Sequence, residues 1–447
     1  MAETAPPKDG VRALLITQNI TGVFDAIDEA LEPWIRELLA LVDRHSPDFI
    51  ALHLQEMGGS DWQGRGMEGA APFTAAIHKA LPAFWSTGVL CNPDTTRSFS
   101  ALGSMYLVRS AALPRVQLWH FGDAEQPASF RALADLPAPL LDEPCLPAHF
   151  CRHERFPQDF FPDFPNWSRK GYLVTRWQLG GEQLDLVNVH LFHDDSNLTA
   201  LKRTESETQS IYATRRGAAL RHTLREVVAE HPSTPPRPSL FVFGDFNFRL
   251  DLPAVVTHLC GAHGLARAQL HEPQAGALKL ASADREADGT AEALCGDEEV
   301  VLEVGTKRFA IARPWELFAD YPLARSFDRE LNQYTNGSAA LPLLELPSTF
   351  KPTYMHVRNT DEGKNKAHAP PSRAAGGRKN ASDSEVDAAF LSFGRKRCPS
   401  WCDRVLMDAE GWNLVERSPV PPTYDAIEQG SAVICDHNKV FLAFCVS

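Results

Sequence analysis

The run Phe241-Val-Phe-Gly-Asp-Phe-Asn-Phe-Arg-Leu250 constrains this chain more than any other segment. Its apolar start reads as a strand buried on both faces, yet it ends by presenting Asp245, Asn247 and Arg249 at alternate positions. An acceptor, an amide and a cation at a strand tip make a poor core and suit the handling of a metal-bound phosphate. The segment reads as half of a catalytic site. The other half reads as Asp436-His437, just ahead of the apolar run Val440-Phe-Leu-Ala-Phe444.

The rest of the chain alternates strand and helix patterns without a repeat. Val11 to Thr17 reads as a strand, and Ile27, Leu31, Trp34, Ile35, Leu38, Leu39 and Val42 mark one face of the following helix. After Pro47, Asp48 to Leu54 reads as a second strand running into Gln55-Glu56. A strand–helix–strand unit makes the two strands parallel, so Asn19 and Glu56 are expected at the same carboxyl edge, where open α/β sheets place ligands. Gly171–Gln178 and Leu184–Leu191 read as a hairpin across Gly180-Gly181, with Asn188 and His190 at the end of its second strand. A long helix is expected from Glu205 to Glu230, and Trp401–Met407 and Val440–Val446 read as further strands. Each candidate chemical residue thus sits at a strand end.

The expected fold class is α/β. The 447 residues read as one catalytic domain, 1–447, with insertions at 271–300 and 358–390; the second, polar and Ala-rich, is expected to be a mobile loop. No apolar run approaches the roughly 18 to 20 residues of a membrane helix, and the first residues have neither the basic nor the apolar region of a secretion signal, so a cytoplasmic location is expected. Nine cysteines in such a chain read as reduced thiols. Cys145, Cys151 and His153, or Cys398 and Cys402, do not make a zinc set at familiar spacing. Gly64-Arg-Gly-Met-Glu-Gly69 spells a dinucleotide fingerprint but has no strand leading into it, and reads as a loop. The net charge of −13 argues against a general nucleic-acid binder while leaving room for an anionic substrate in a locally basic pocket. Arg169-Lys170 and Arg395-Lys396-Arg397 with Arg404 supply such basic clusters.

Phosphate ester hydrolysis needs a hard cation on oxygen ligands, an aimed and deprotonated water, and compensation of phosphoryl charge. Glu56 supported by Asn19 suits the first need, Asp245 with Asn247 the second, and His190 and His437 the third. Taken singly, each residue also has an ordinary structural reading, as a cap, an Asx-turn or a satisfied strand-end histidine. Their joint occurrence at strand ends favours the catalytic one.

Gly244-Asp-Phe-Asn-Phe-Arg249 together with Arg397-Cys-Pro-Ser-Trp-Cys-Asp-Arg404 resembles the paired signature of the inositol polyphosphate 5-phosphatases. Thr17-Gln-Asn19, Leu54-Gln-Glu56, Asn188-Val-His190 and Asp436-His437 follow the family's order. Phe156-Pro-Gln-Asp-Phe-Phe161, Trp167-Ser-Arg-Lys-Gly171 and Leu186-Val-Asn-Val-His-Leu-Phe-His-Asp-Asp195 are similar to its type I branch. The resemblance implies an exonuclease III/DNase I-like fold, a four-layer sandwich of two packed mixed sheets flanked by helices. It implies Mg2+-dependent removal of the 5-phosphate from soluble inositol 1,4,5-trisphosphate and from the 1,3,4,5-tetrakisphosphate, by a monomer with at most peripheral membrane contact. By the same resemblance Glu56 holds the metal with Asn19 in support, Asp245 is the base and Asn247 orients the water. His437 and His190 contact the scissile phosphate, Asp403 orients His437, and Asp436 lies near the metal. Lys170, Arg397 and Arg404 are its candidate phosphate contacts.

The chain departs from the family pattern in places. Where lipid-cleaving members follow Pro-Thr-Tyr with a Lys for the 4-phosphate, Pro352-Thr-Tyr354 is followed by Met355; this favours a soluble substrate, with Lys351 the substitute candidate. Asp436-His-Asn-Lys439 replaces Asp-His-Lys-Pro, a change expected to shift the loop carrying the histidine. Cys445-Val-Ser447 is one residue short of a prenylation box, so no lipid anchor is expected. The alternatives are a lipid 5-phosphatase, a nuclease or sphingomyelinase of the same fold, and a non-catalytic inositol phosphate binder.

Overall fold

Residues of both parities are buried in the first strand: Val11, Ala13 and Leu15 belong to one apolar cluster, Leu14 and Ile16 to another. A strand with two apolar faces has to be covered on both sides, and that requirement sets the layering of the molecule. The computed structural model describes residues 10–61, 68–90, 100–136, 148–162, 169–202, 209–231, 237–281, 300–313, 317–318, 321–335, 341–358, 393–428 and 434–447.

Along these residues run the strands β1 (Val11–Asn19), β2 (Phe49–Gln55), β3 (Phe84–Leu90), β4 (Gly103–Arg109), β5 (Val116–His120), β6 (Ser129–Ala132), β7 (Arg152–Arg155) and β8 (Gly171–Leu179). They continue as β9 (Glu182–His190), β10 (Ser239–Asp245), β11 (Leu278–Ala281), β12 (Val300–Gly305), β13 (Arg308–Ile311), β14 (Asp403–Met407), β15 (Thr423–Ile427) and β16 (Lys439–Val446). One mixed sheet has the order β15-β16-β1-β2-β4-β3, and a second the order β14-β10-β9-β8-β5-β6 with β7 also on β8. β11, β12 and β13 form a small separate sheet.

The two large sheets pack face to face. Phe49 meets Trp177 edge-on at 5.1 Å, His53 stacks on Phe243 at 3.6 Å, and Phe241 stacks on Phe444 at 5.5 Å. On the outside of the first sheet lies the helix Ile27–His45, whose Trp34, Leu38 and Leu41 cover Leu14, Ile16, Ile50 and Phe441. The helix Ile211–Ala229 covers the second sheet through Tyr212, Leu220, Leu224 and Val227. The architecture is therefore the helix-flanked, two-sheet sandwich that the family resemblance implies. Among the described residues no helix is long and apolar enough to cross a membrane.

The strand–helix–strand expectation holds: β1 and β2 are parallel, with Asn19 opposite Gln55 at their carboxyl ends. β8 and β9 form the expected hairpin, with Gly180 at φ +60° in the turn. The long helix begins at Ile211, and its expected start at Glu205 lies outside the described residues. So do Trp167, Cys145, most of the Gly64–Gly69 segment and, but for Arg358, the expected loop 358–390. Of the stretch 271–300, residues 282–299 lie outside as well, while Leu278–Ala281 is a strand paired with β12.

Candidate active site

β10 is the pivot of the site. It runs parallel to β9 and antiparallel to β14, and its last residue, Asp245, lies opposite His190 on one side and Asp403 on the other. The preceding Gly244 is required by this close pairing, because a Cβ there would sit 2.0 Å from the Val189 carbonyl oxygen. Beyond the strand the chain turns sharply: Asn247 has φ +52°, a left-handed conformation that Asn tolerates better than most residues, and its N–H donates to Asp245 Oδ1 at 2.9 Å. Arg249 Nη2 then donates to Asn247 Oδ1, and Asn247 Nδ2 donates to the Leu191 carbonyl at 3.1 Å.

Asp245 Oδ2 is the meeting point of both sheets. Asn19 Nδ2 reaches it at 3.3 Å from β1, His190 Nε2 at 3.3 Å from β9, and His437 Nε2 stands at 3.9 Å from the entry to β16. Burial opposes ionisation of Asp245, but His437, His190 and Lys170 outweigh it and hold its carboxyl well below the usual carboxylate range.

His437 is held from behind by Asp403, with Nδ1 and Oδ2 2.8 Å apart, and the Thr353 hydroxyl donates to the same oxygen at 2.7 Å. Burial works against the imidazolium, but Asp403 and Asp245 prevail and push its pKa up to about 9. The imidazole is further fixed by the Tyr354 ring, 4.4 Å away, and by Gln18, whose Nε2 donates to the His437 carbonyl at 2.9 Å. Trp34 Nε1 pins Gln18 in turn at 2.8 Å. The unusual Asn438-Lys439 is accommodated here: Asn438 N–H donates to the Thr353 carbonyl at 2.8 Å, and Lys439 is buried against Glu37 at 2.8 Å with its ammonium over the Trp34 ring.

The third group surrounds Glu56, which follows β2 with φ +56°. Arg169, Lys170 and His190 stand 3.7, 3.9 and 3.8 Å from its carboxylate, and the Thr21 hydroxyl donates to Oε2 at 2.5 Å. Burial raises the cost of its charge, yet Lys170, Arg169 and His190 hold it ionised, far below the ordinary range. Lys170 precedes β8 and its ammonium contacts His190 Nε2; burial, partly offset by Glu56 and Asp245, lowers it to about 8. Burial and then Lys170 push His190 down.

The donors here suit a hard divalent cation. Asn19 Oδ1 and Glu56 Oε2 both bond the Thr21 hydroxyl, so an amide and a carboxylate oxygen converge on one point. Burial pushes the Asp436 carboxyl up; His437 opposes this and the like charge of Glu56 adds to it, a repulsion that a cation relieves. Asp245, Asp403 and His437 also lie close enough to one another to hold an ion, but the His437 imidazole already bridges the two carboxylates.

Three expected phosphate contacts do not join this group. Arg404 is fully buried and spent on structure, with Nη1 on Glu345 at 2.9 Å, Nη2 on Asp328 at 2.5 Å and Nε on the Trp401 carbonyl at 2.8 Å. Arg397 ties the carbonyls of Asp194, Asp195 and Thr306 together. Lys351 pairs with Glu428 at 2.7 Å. Asn188, in line with His190, is an inter-sheet tie: it donates to the Leu54 and Gly103 carbonyls and accepts from Gln55 Nε2. Thr21, Thr353 and Tyr354 were not expected at the site. Nor was His193, whose pKa burial and Lys170 lower strongly. His193 carried a signal, three residues beyond the strand that ends at His190, and Thr353 and Tyr354 stand in the Pro352-Thr-Tyr354 motif.

The chain is 30% identical to human inositol polyphosphate-5-phosphatase A over 444 residues, covering 97% of this chain and 93% of that protein. It is 26% identical over 459 residues to the probable type I inositol 1,4,5-trisphosphate 5-phosphatase of Caenorhabditis elegans, covering 97% of this chain and 99% of that one. Among solved structures it aligns with the inositol polyphosphate 5-phosphatase domain of SPsynaptojanin, crystallised with inositol (1,4)-bisphosphate and a calcium ion. That match has 14% identity, covers 98% of this chain and 84% of the other, and has a TM-score of 0.41. No family model matches the chain.

Proposed function

The chain belongs to the inositol polyphosphate 5-phosphatase family, and from that premise we propose that it removes the 5-phosphate of soluble inositol 1,4,5-trisphosphate, and of the 1,3,4,5-tetrakisphosphate, with magnesium. The observation that carries this reading is the convergence of two imidazoles on one ionised carboxylate oxygen, His190 at 3.3 Å and His437 at 3.9 Å from Asp245 Oδ2.

Glu56 and Asn19 would hold the magnesium ion, with Asp436 beside it. When bound, that ion supplies positive charge against the phosphoryl oxygens. His437, protonated at neutral pH and backed by Asp403, donates to a phosphoryl oxygen, and Lys170 and His190 line the same region. Asp245 accepts the proton of the attacking water while Asn247 orients it. The cations that keep Asp245 ionised also make it a weak base. An entering phosphate dianion counters those cations, so the basicity of Asp245 rises when substrate is in place. Met355 in place of a lysine supports a soluble substrate over a lipid.

The test is magnesium-dependent phosphate release across a panel of soluble and lipid inositides, with abasic DNA as the nuclease control. Release confined to soluble 5-phosphates supports the proposal. Cleavage of DNA, or of lipids alone, overturns it, and tight binding without turnover would make the protein a binder.

A further inference from the structure

Buried arginines in this fold close on carboxylates. Arg176 pairs with Asp185, Arg216 with Asp194 and Glu330, and Arg404 with Asp328 and Glu345. Arg249 is buried too, at 6% exposure, and its side chain has no such partner among the described residues. Among the described residues its one side-chain hydrogen bond runs from Nη2 to Asn247 Oδ1 at 2.5 Å, its guanidinium lies 4.4 Å over the Tyr354 ring, and its Nε and Nη1 have no hydrogen-bond partner. Burying a cation without a direct ion pair is costly, and Asp194 acts on Arg249 only through space, so a purely structural arginine is not expected in this form.

What Arg249 does is settle the orientation of an amide. Asn247 Nδ2 donates to the Leu191 carbonyl at 3.1 Å while its Oδ1 accepts from Arg249. A guanidinium offers no acceptor and a carbonyl no donor, so only one of the two amide orientations satisfies both neighbours. In that orientation the oxygen is spent on Arg249 and the second Nδ2 hydrogen is left for a ligand. The Tyr354 ring that the guanidinium supports is the one set 4.4 Å from the His437 imidazole.

We propose that Arg249 is a positioning residue that locks the Asn247 amide in the orientation needed to hold the attacking water and steadies Tyr354 against His437. This rests on the reading of Asn247 as the group that orients the water. Arg249 acts through Asn247, so the two are energetically coupled.

The experiment is a double-mutant cycle of Arg249→Met and Asn247→Ala, with Arg249→Lys as the variant that keeps a donor. It is read as kcat and KM for inositol 1,4,5-trisphosphate with magnesium. The expected result for Arg249→Met is a fall in kcat of about 100-fold, the size of loss that a small misplacement in an active site produces, with KM little changed. In the Asn247→Ala background the same substitution is expected to cost less than about threefold, and lysine to restore part of the loss. Equal losses in both backgrounds, or an unchanged kcat, overturn the proposal. The NMR signal of the Asn247 side-chain amide, assigned by its absence in Asn247→Ala, gives a readout without turnover. It is expected to shift and broaden in folded Arg249→Met, and an unmoved signal also overturns the proposal. Absence of phosphate release by the wild-type protein would sink the functional reading instead, and the amide signal would then decide the role of Arg249 alone.

Discussion

His437 Nδ1 and Asp403 Oδ2 lie 2.8 Å apart, while His437 Nε2 faces Asp245 at 3.9 Å, so one imidazole spans two buried carboxylates from different strands. Asp403 lies opposite Asp245 in the β10–β14 pairing, so the register of that pair sets the geometry of the histidine.

Asp403→Asn is expected to keep the fold and lower kcat by roughly 10²–10⁴-fold, the range for impairing a positioned proton-bearing group. It should also change the pH profile. His437 at about 9 and Lys170 at about 8 are both cationic at neutral pH, so activity should fall as pH rises through 8 to 9. Asp403 is the leading charge that raises His437, so the basic limb should move to lower pH in Asp403→Asn. A pH–rate profile with an unmoved basic limb would show that His437 does not titrate there.

Asp245→Asn removes the proposed base while keeping the shape of the side chain. We expect a loss of about 10²–10⁴-fold in kcat at saturating magnesium, with substrate binding retained in a calorimetric titration. Retained turnover would remove Asp245 from the proton-accepting role.

Lys170→Met takes a cation from 3.9 Å beside Glu56. A unit charge at that distance is worth about 1 kcal/mol even in bulk water, and more here, where Lys170 is buried. The variant should therefore need several-fold less magnesium for half-maximal activity, even as its maximal rate falls. A raised magnesium requirement would show that Lys170 helps to build the metal site instead of competing with the ion.

Arg404→Met should act on stability. It takes from the buried Asp328 and Glu345 the better placed of two cations, leaving Arg325 at 2.9 and 3.7 Å, and breaking a buried pair costs up to about 3–5 kcal/mol. A large drop in melting temperature with KM close to wild type is the expected outcome. A raised KM without loss of stability would restore Arg404 as a phosphate contact.

Much of this molecule is legible in its sequence because the information is local. The apolar runs Val11–Thr17 and Phe241–Gly244, the helical stripe from Ile27 to Val42 and the Gly180-Gly181 turn each encode an element within a few residues, and together they place Asn19, Glu56, His190 and Asp245 at strand ends. The roles of the basic residues are less legible. Arg404 and Lys170 are both cations within signature segments, yet one is sealed between two carboxylates and the other faces Glu56 and His190.

The sequence by itself determined the elements that carry the site, the parallel pairing of the first two strands and the inventory of acid, amide and imidazole groups, because side-chain periodicity and turn chemistry act over short stretches of chain. Only the tertiary structure decided which groups meet and in what charge state. Asn19 reaches Asp245 from 226 positions away, Thr353 supports Asp403, and Thr21 braces Glu56. The physical reason is that ionisation and hydrogen bonding depend on burial and on neighbours, and here both come from the packing of one sheet against the other.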